Sequence, residues 1–148
     1  MVGRVCAQME DRKMLPKPHK LRSPPNRRDK KTILMLADMG SLADIVYLAA
    51  YDRLGLPRNL LKPACTPLTG FTGHSIYSVG IAELDFTMGE APRTSTIKAY
   101  FTVEDISDPS YNGLIDRPIL IALRAIVSPL HLKMKFPTTR GVGEVSGD

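Results

Sequence analysis

Ile33-Leu34-Met35-Leu36-Ala37-Asp38-Met39-Gly40-Ser41 places an acid on a tight turn directly behind an apolar run. The uninterrupted apolar residues read as a buried strand, and Asp and Gly at its end read as a turn. An acid held this way can stand at the floor of a cleft in a β-rich protein. Asp-x-Gly alone also suits an ordinary strand end, where the Asp side chain caps local backbone. The weight of Asp38 therefore depends on the residues C-terminal to the turn.

Ile45-Val46-Tyr47 reads as a short strand, and Leu48 to Leu54 as a short helix stopped by Gly55 and Pro57. Pro63 and Pro67 keep the next stretch extended. Gly70-Phe71-Thr72-Gly73 is a turn between two extended arms. Two long alternating segments lie beyond it. Ala82, Leu84, Phe86 and Met88 share one face of the first; Ile97, Ala99, Phe101 and Val103 share one face of the second. Joined by Gly89-Glu90-Ala91-Pro92, they predict an antiparallel pair. Leu114-Ile115 is a short buried run, and Pro118 suits the first turn of a helix. Ile119, Leu120, Leu123 and Ile126 recur at helical spacing, most simply as core. Leu132, Met134 and Phe136 alternate once more, and the stretch from Pro137 onward is expected to fray.

A chain of 148 residues reads as one domain, and 12 Pro with 11 Gly imply many turns and short elements. Charge is placed unevenly. Residues 1–31 hold ten Lys/Arg against Glu10, Asp11 and Asp29, a net of +7; residues 32–148 hold ten against twelve acids, a net of −2. With four prolines besides, residues 1–31 are expected to be a disordered basic tail, either a solvated linker or a contact for nucleic-acid phosphates. Residues 32–137 form the expected domain and 138–148 a Gly-rich linker. No run of apolar residues is long enough for a membrane span, and the basic N-terminus lacks an apolar signal core. Cys6 and Cys65 make no disulfide framework, so the expected setting is intracellular and not secreted. His19, His74 and His131 stand far apart, so neither a metal site nor a cofactor is expected. Asp44 reads as a helix N-terminal acid, with Arg117 as a candidate partner.

The order of parts resembles the aspartic protease segment of plant gypsy-type retrotransposon polyproteins, a retropepsin-like family. The matching stretches are residues 35–47 (MLADMGSLADIVY), 66–84 (TPLTGFTGHSIYSVGIAEL), 110–137 (SYNGLIDRPILIALRAIVSPLHLKMKFP) and 141–148 (GVGEVSGD). In that family the last stretch leads on toward reverse transcriptase, so the chain looks like a piece of a gag-pol polyprotein. The resemblance implies a mainly β acid-protease half-barrel with one or two short helices, an obligate homodimer if active. Each subunit would contribute one catalytic Asp, here Asp38, with Met39, Gly40 and Ser41 forming the active-site turn. Two carboxylates brought together share one proton: one acts as base on a water, the other polarises the peptide carbonyl. Gly70, Phe71, Thr72 and Gly73 match the flap that closes over a peptide or polyprotein substrate.

The chain departs from the family pattern in three places. Met39 stands where the signature has Thr, whose hydroxyl can hydrogen-bond across the dimer. In Leu114-Ile115-Asp116-Arg117-Pro118 the acid Asp116 stands where the signature has Gly, a residue that allows positive φ or close packing. The family's β-hairpin ahead of the Asp strand falls on the basic tail. The expectation is thus a domain descended from a polyprotein-processing endopeptidase, weak or inactive here. The alternatives are an active homodimeric endopeptidase, or a non-catalytic binding module with a basic arm on nucleic acid.

Overall fold

A computed structural model of the chain describes residues 4–10, 31–40, 42–64, 68–69, 75–76, 78–106 and 110–147. In chain order the strands are β1 (Arg4–Glu10), β2 (Lys31–Ala37), β3 (Ile45–Tyr47), β4 (Leu68–Thr69), β5 (Ser75–Ile76), β6 (Gly80–Glu90), β7 (Arg93–Glu104), β8 (Gly113–Ile115), β9 (Ile126–Ser128), β10 (Lys133–Thr138) and β11 (Gly141–Ser146). Two short helices, α1 (Leu48–Arg53) and α2 (Arg117–Ala122), interrupt them. The fold is mainly β, as the alternation predicts.

Six strands close into a barrel in the order β1-β2-β8-β3-β7-β6. The long β6–β7 hairpin runs in register from Gly80↔Val103 to Glu90↔Arg93. Of its expected inward residues, Ala82, Leu84, Phe86, Met88, Ala99, Phe101 and Val103 are buried, and Ile97 is half-buried against them. The rings of Phe86 and Phe101 pack with centroids 5.8 Å apart. Outside, Glu83 lies between Lys98 at 2.6 Å and Lys62 at 3.2 Å.

Three expectations are corrected. Arg4–Glu10 lies within the expected disordered tail, yet it is a barrel strand. It pairs antiparallel with β2 (Arg4↔Leu36 to Met9↔Lys31) and with β6 (Ala7↔Met88 to Glu10↔Asp85). The reason is local: Val5, Ala7 and Met9 alternate with Arg4, Gln8 and Glu10, a strand period that the charge count over 31 residues hides. The hairpin partner ahead of the Asp strand is therefore present. Gly141–Ser146, expected to fray, instead pairs along its whole length with β10, and Gly141 makes the turn at φ 103°. Lys133 and Lys135 both reach Glu144 across that pair. Finally, α2 stops at Ala122, because Arg124 adopts φ 52°. Ile119, Leu120 and Leu123 are core, but Ile126 belongs to β9 and is 75% exposed. Leu132, at φ 49°, precedes β10 and is not part of the inward row completed by Met134 and Phe136.

Candidate active site

Three strands meet at one end of the barrel. β2 runs parallel to β8 (Met35↔Gly113, Ala37↔Ile115), and β3 runs antiparallel to β8 (Ile45↔Leu114, Val46↔Gly113). Gly113 makes this three-strand contact possible. A Cβ there would lie 2.1 Å from the Ile45 carbonyl oxygen, well inside van der Waals contact. Asn112 locks the pairing at the far end. Its amide donates to the Leu34 oxygen at 2.7 Å, and its side-chain oxygen accepts from the Leu34 amide at 2.8 Å. By residue type Asn112 suits a loop; its long-range partner is not a local sequence signal.

Asp38 follows the last residue of β2. Its amide donates to the Ile115 oxygen at 2.9 Å, which carries the parallel ladder one residue beyond the strand. Its Oδ1 accepts from the Gly40 amide at 3.0 Å, a side-chain turn that fixes the carboxylate over its own loop. Asp38 is half-buried and Gly40 exposed. A side chain at position 40 would begin 3.2 Å from Oδ1, so glycine leaves the carboxylate room. Met39 is 43% exposed and Leu42 more so, placing two apolar side chains at the surface beside the acid. Ser41 lies outside the described residues, as do Gly70, Phe71, Thr72 and Gly73. The arms expected on either side of that turn are present as β4 and β5, paired Leu68↔Ile76 and Thr69↔Ser75.

Asp116 follows β8 as Asp38 follows β2. Its backbone is extended (φ −127°, ψ −166°), a conformation open to any residue, so no positive φ is needed where the signature has Gly. It is the N-cap of α2, its Oδ1 accepting from the Arg117 amide at 2.7 Å. Its side chain is completely buried. Asp44, 3% exposed, accepts the Asp116 amide on Oδ1 at 2.6 Å. The expectation of Asp44 at the start of a local helix is corrected: it precedes β3 and reaches across to the N-terminus of α2. Burial pushes its carboxyl up to about 6, and the nearby Asp116 charge adds to this; the Asp116 and Ile119 amides pull the other way. Arg117, next in the chain, is an exposed residue. Among the described residues no group of three or more His, Cys, Asp or Glu is placed to hold a metal ion, and no helix is long and apolar enough to cross a membrane.

Neither a protein-family model nor a curated protein matches the sequence. Solved structures do share the fold. The retroviral protease-like domain of Ddi1 from Leishmania major superposes with a TM-score of 0.60 at 12% identity, covering 100% of this chain and 91% of that one. EIAV protease complexed with the inhibitor HBY-793 superposes with a TM-score of 0.53 at 18% identity, covering 86% of this chain and 93% of that one. The chain thus has a retropepsin-like fold.

Proposed function

We propose that this chain is the subunit of an aspartic endopeptidase, in which two copies bring their Asp38 carboxylates together over a peptide substrate. The observation that carries this reading is the seat of Asp38. A half-buried carboxylate is fixed by the Gly40 amide on a turn that is itself bonded to Ile115. One chain supplies one such acid, so the shared-proton chemistry requires a second copy. In that pair one carboxylate draws a proton from water, and the other donates a hydrogen bond to the scissile carbonyl. The exposed apolar side chains of Met39 and Leu42 beside the acid, and of Ile121 and Ile126 near the end of α2, support a surface for that copy.

Two of the three departures from the family pattern lose their force. β1 supplies the strand ahead of the Asp strand. Asp116 caps α2 in an unstrained conformation. Met39 remains: its thioether offers no hydrogen bond across a dimer, which favours a weak enzyme over an efficient one. Origin in a gypsy-type retrotransposon polyprotein, of the kind found in plants, is the finer form of this proposal. It is supported by the four matching sequence stretches. A second reading, contact of the basic segment with nucleic acid, is supported by the net charge of +7 over residues 1–31.

The test is cleavage of a mixed peptide library at mildly acidic pH by the chain and by its Asp38→Asn variant. Cleavage lost in a folded variant is the expected result. Equal cleavage by both, or none by either, removes the proposal.

A further inference from the structure

Among the described residues, two buried side-chain polar atoms have no hydrogen-bond partner: Ser78 Oγ and Glu104 Oε1. A buried polar group left alone is costly, so each such atom asks for a reason. The two belong to neighbouring residues. Val103 on β7 has Gly80 as its registered partner, yet its carbonyl oxygen also accepts the Val79 amide at 2.8 Å. Two successive residues thus oppose one, the pattern of a β-bulge. The bulge shifts the register by one, which places Ser78 opposite Glu104. Residues opposed in this way share a face of the sheet, with Cβ atoms about 5 Å apart. On the other side of β7 the registered neighbour of Glu104 is Tyr47, whose hydroxyl is engaged with Tyr111.

The pair stands at the root of an arm. Among the described residues β4 and β5 form a two-stranded sheet of their own, and β5 ends two residues before Ser78. The chain leading to β4 is tied at the same level, where Lys62 and Ile81 exchange both backbone hydrogen bonds, at 2.9 and 2.8 Å. Gly80 permits this close approach, since a Cβ there would lie 2.9 Å from the Lys62 carbonyl oxygen. On the β5 side the Val79 amide holds the chain, and the next polar side chain along it is Ser78.

We infer that Ser78 and Glu104 form a buried polar latch at the root of the β4–β5 arm: the Ser78 hydroxyl engages Glu104 Oε1, through one shared water or by rotation of the Ser78 side chain, and fixes the angle at which the arm leaves the barrel. A hydroxyl carries both the proton that a carboxylate oxygen accepts and lone pairs for a water, and one water bonded to both atoms has the partners it needs. A bulge bends its strand, and a tie on the residue before it fixes the bend. The latch stands on the bulge and the two buried atoms. Its purpose rests on the protease reading, in which this arm leads to the turn that closes over the peptide. Ser78 and Glu104 are positioning residues; neither touches the reacting atoms.

The test is amide hydrogen exchange of the full chain by NMR, read at Val79 and referenced to the barrel amides of Phe86 and Phe101. Ser78→Ala and Glu104→Leu should each speed exchange at Val79 about fivefold, the worth of one hydrogen bond, and the double variant by no more than either single one. Ser78→Thr and Glu104→Gln keep the hydroxyl and the acceptor, and should stay within about twofold of wild type. Effects that multiply in the double variant, or single variants that exchange like wild type, overturn the inference. Should a variant not fold, a crystal structure of the wild-type chain decides. Ser78 Oγ at about 3 Å from Glu104 Oε1, or one ordered water bonded to both, upholds the latch; separate partners for the two atoms overturn it. No peptide cleavage by any of these chains, beside the coupled exchange, removes the protease reading and leaves the latch standing.

Discussion

Among single residues, two glycines and an acid decide the site. Gly113 permits β8 to lie between β2 and β3, where a Cβ would collide with the Ile45 carbonyl oxygen. Neither backbone can yield without breaking strand pairing. Gly113→Ala should therefore cost about 3 kcal/mol, measurable as a lower denaturation midpoint with an unchanged slope. Gly40→Ala meets only the end of the Asp38 side chain at 3.2 Å. It should leave stability nearly unchanged and act on cleavage instead. The acid turn itself is legible in the sequence, because a run of buried residues ending in Asp-x-Gly is a local pattern. The partner of Asp44 is not. Its hydrogen bond spans the chain, and local spacing points only to a nearby helix.

Among the strands and helices, β1 alters what the N-terminal segment means. It joins β2 to β6 and closes the barrel, so removing it leaves two long unpaired edges. A deletion of residues 1–31, which the charge pattern suggests would spare the domain, should instead unfold it or drive aggregation. Static light scattering and circular dichroism of the deleted chain check this. A deletion confined to residues 11–30, bridged by a short linker, should keep the fold. If the basic segment binds nucleic acid, that deletion should also abolish the salt-dependent part of the binding. The long hairpin, β3 and α1 are readable because their periods are short and uninterrupted. β1 is hidden because its seven-residue alternation sits in a strongly basic stretch. β9 merges with α2 in the sequence because only the positive φ of Arg124, which its residue type does not announce, ends the helix.

Across the molecule, the ionisable groups pull stability in two directions. Asp44 has its carboxyl raised to about 6 in the fold. The folded state therefore binds the extra proton between the unfolded value and 6, and stability falls as pH rises through that window, by roughly 1–2 kcal/mol after screening. Glu83, flanked by Lys98 and Lys62, is lowered to about 2. Asp52 beside Arg58, and Glu144 beside Lys133 and Lys135, are lowered as well. Their contributions are present above the unfolded carboxylate value and are lost as pH falls below it. The melting temperature should therefore peak near about pH 5, lying lower at pH 7 and at pH 3. Asp44→Asn should make the neutral side of that curve shallower and leave the acid side in place; Glu104, raised by its own burial, keeps part of the neutral-side slope.

If two Asp38 carboxylates, one from each copy, make one active site, then mixing wild-type chain with folded Asp38→Asn chain must poison it. The measurement is peptide cleavage at fixed total concentration as the proportion of the two chains is varied. With both acids needed, the rate falls with the square of the wild-type fraction, because mixed pairs are dead. A rate that falls in simple proportion, or that persists in the variant alone, rules out a site shared between two copies.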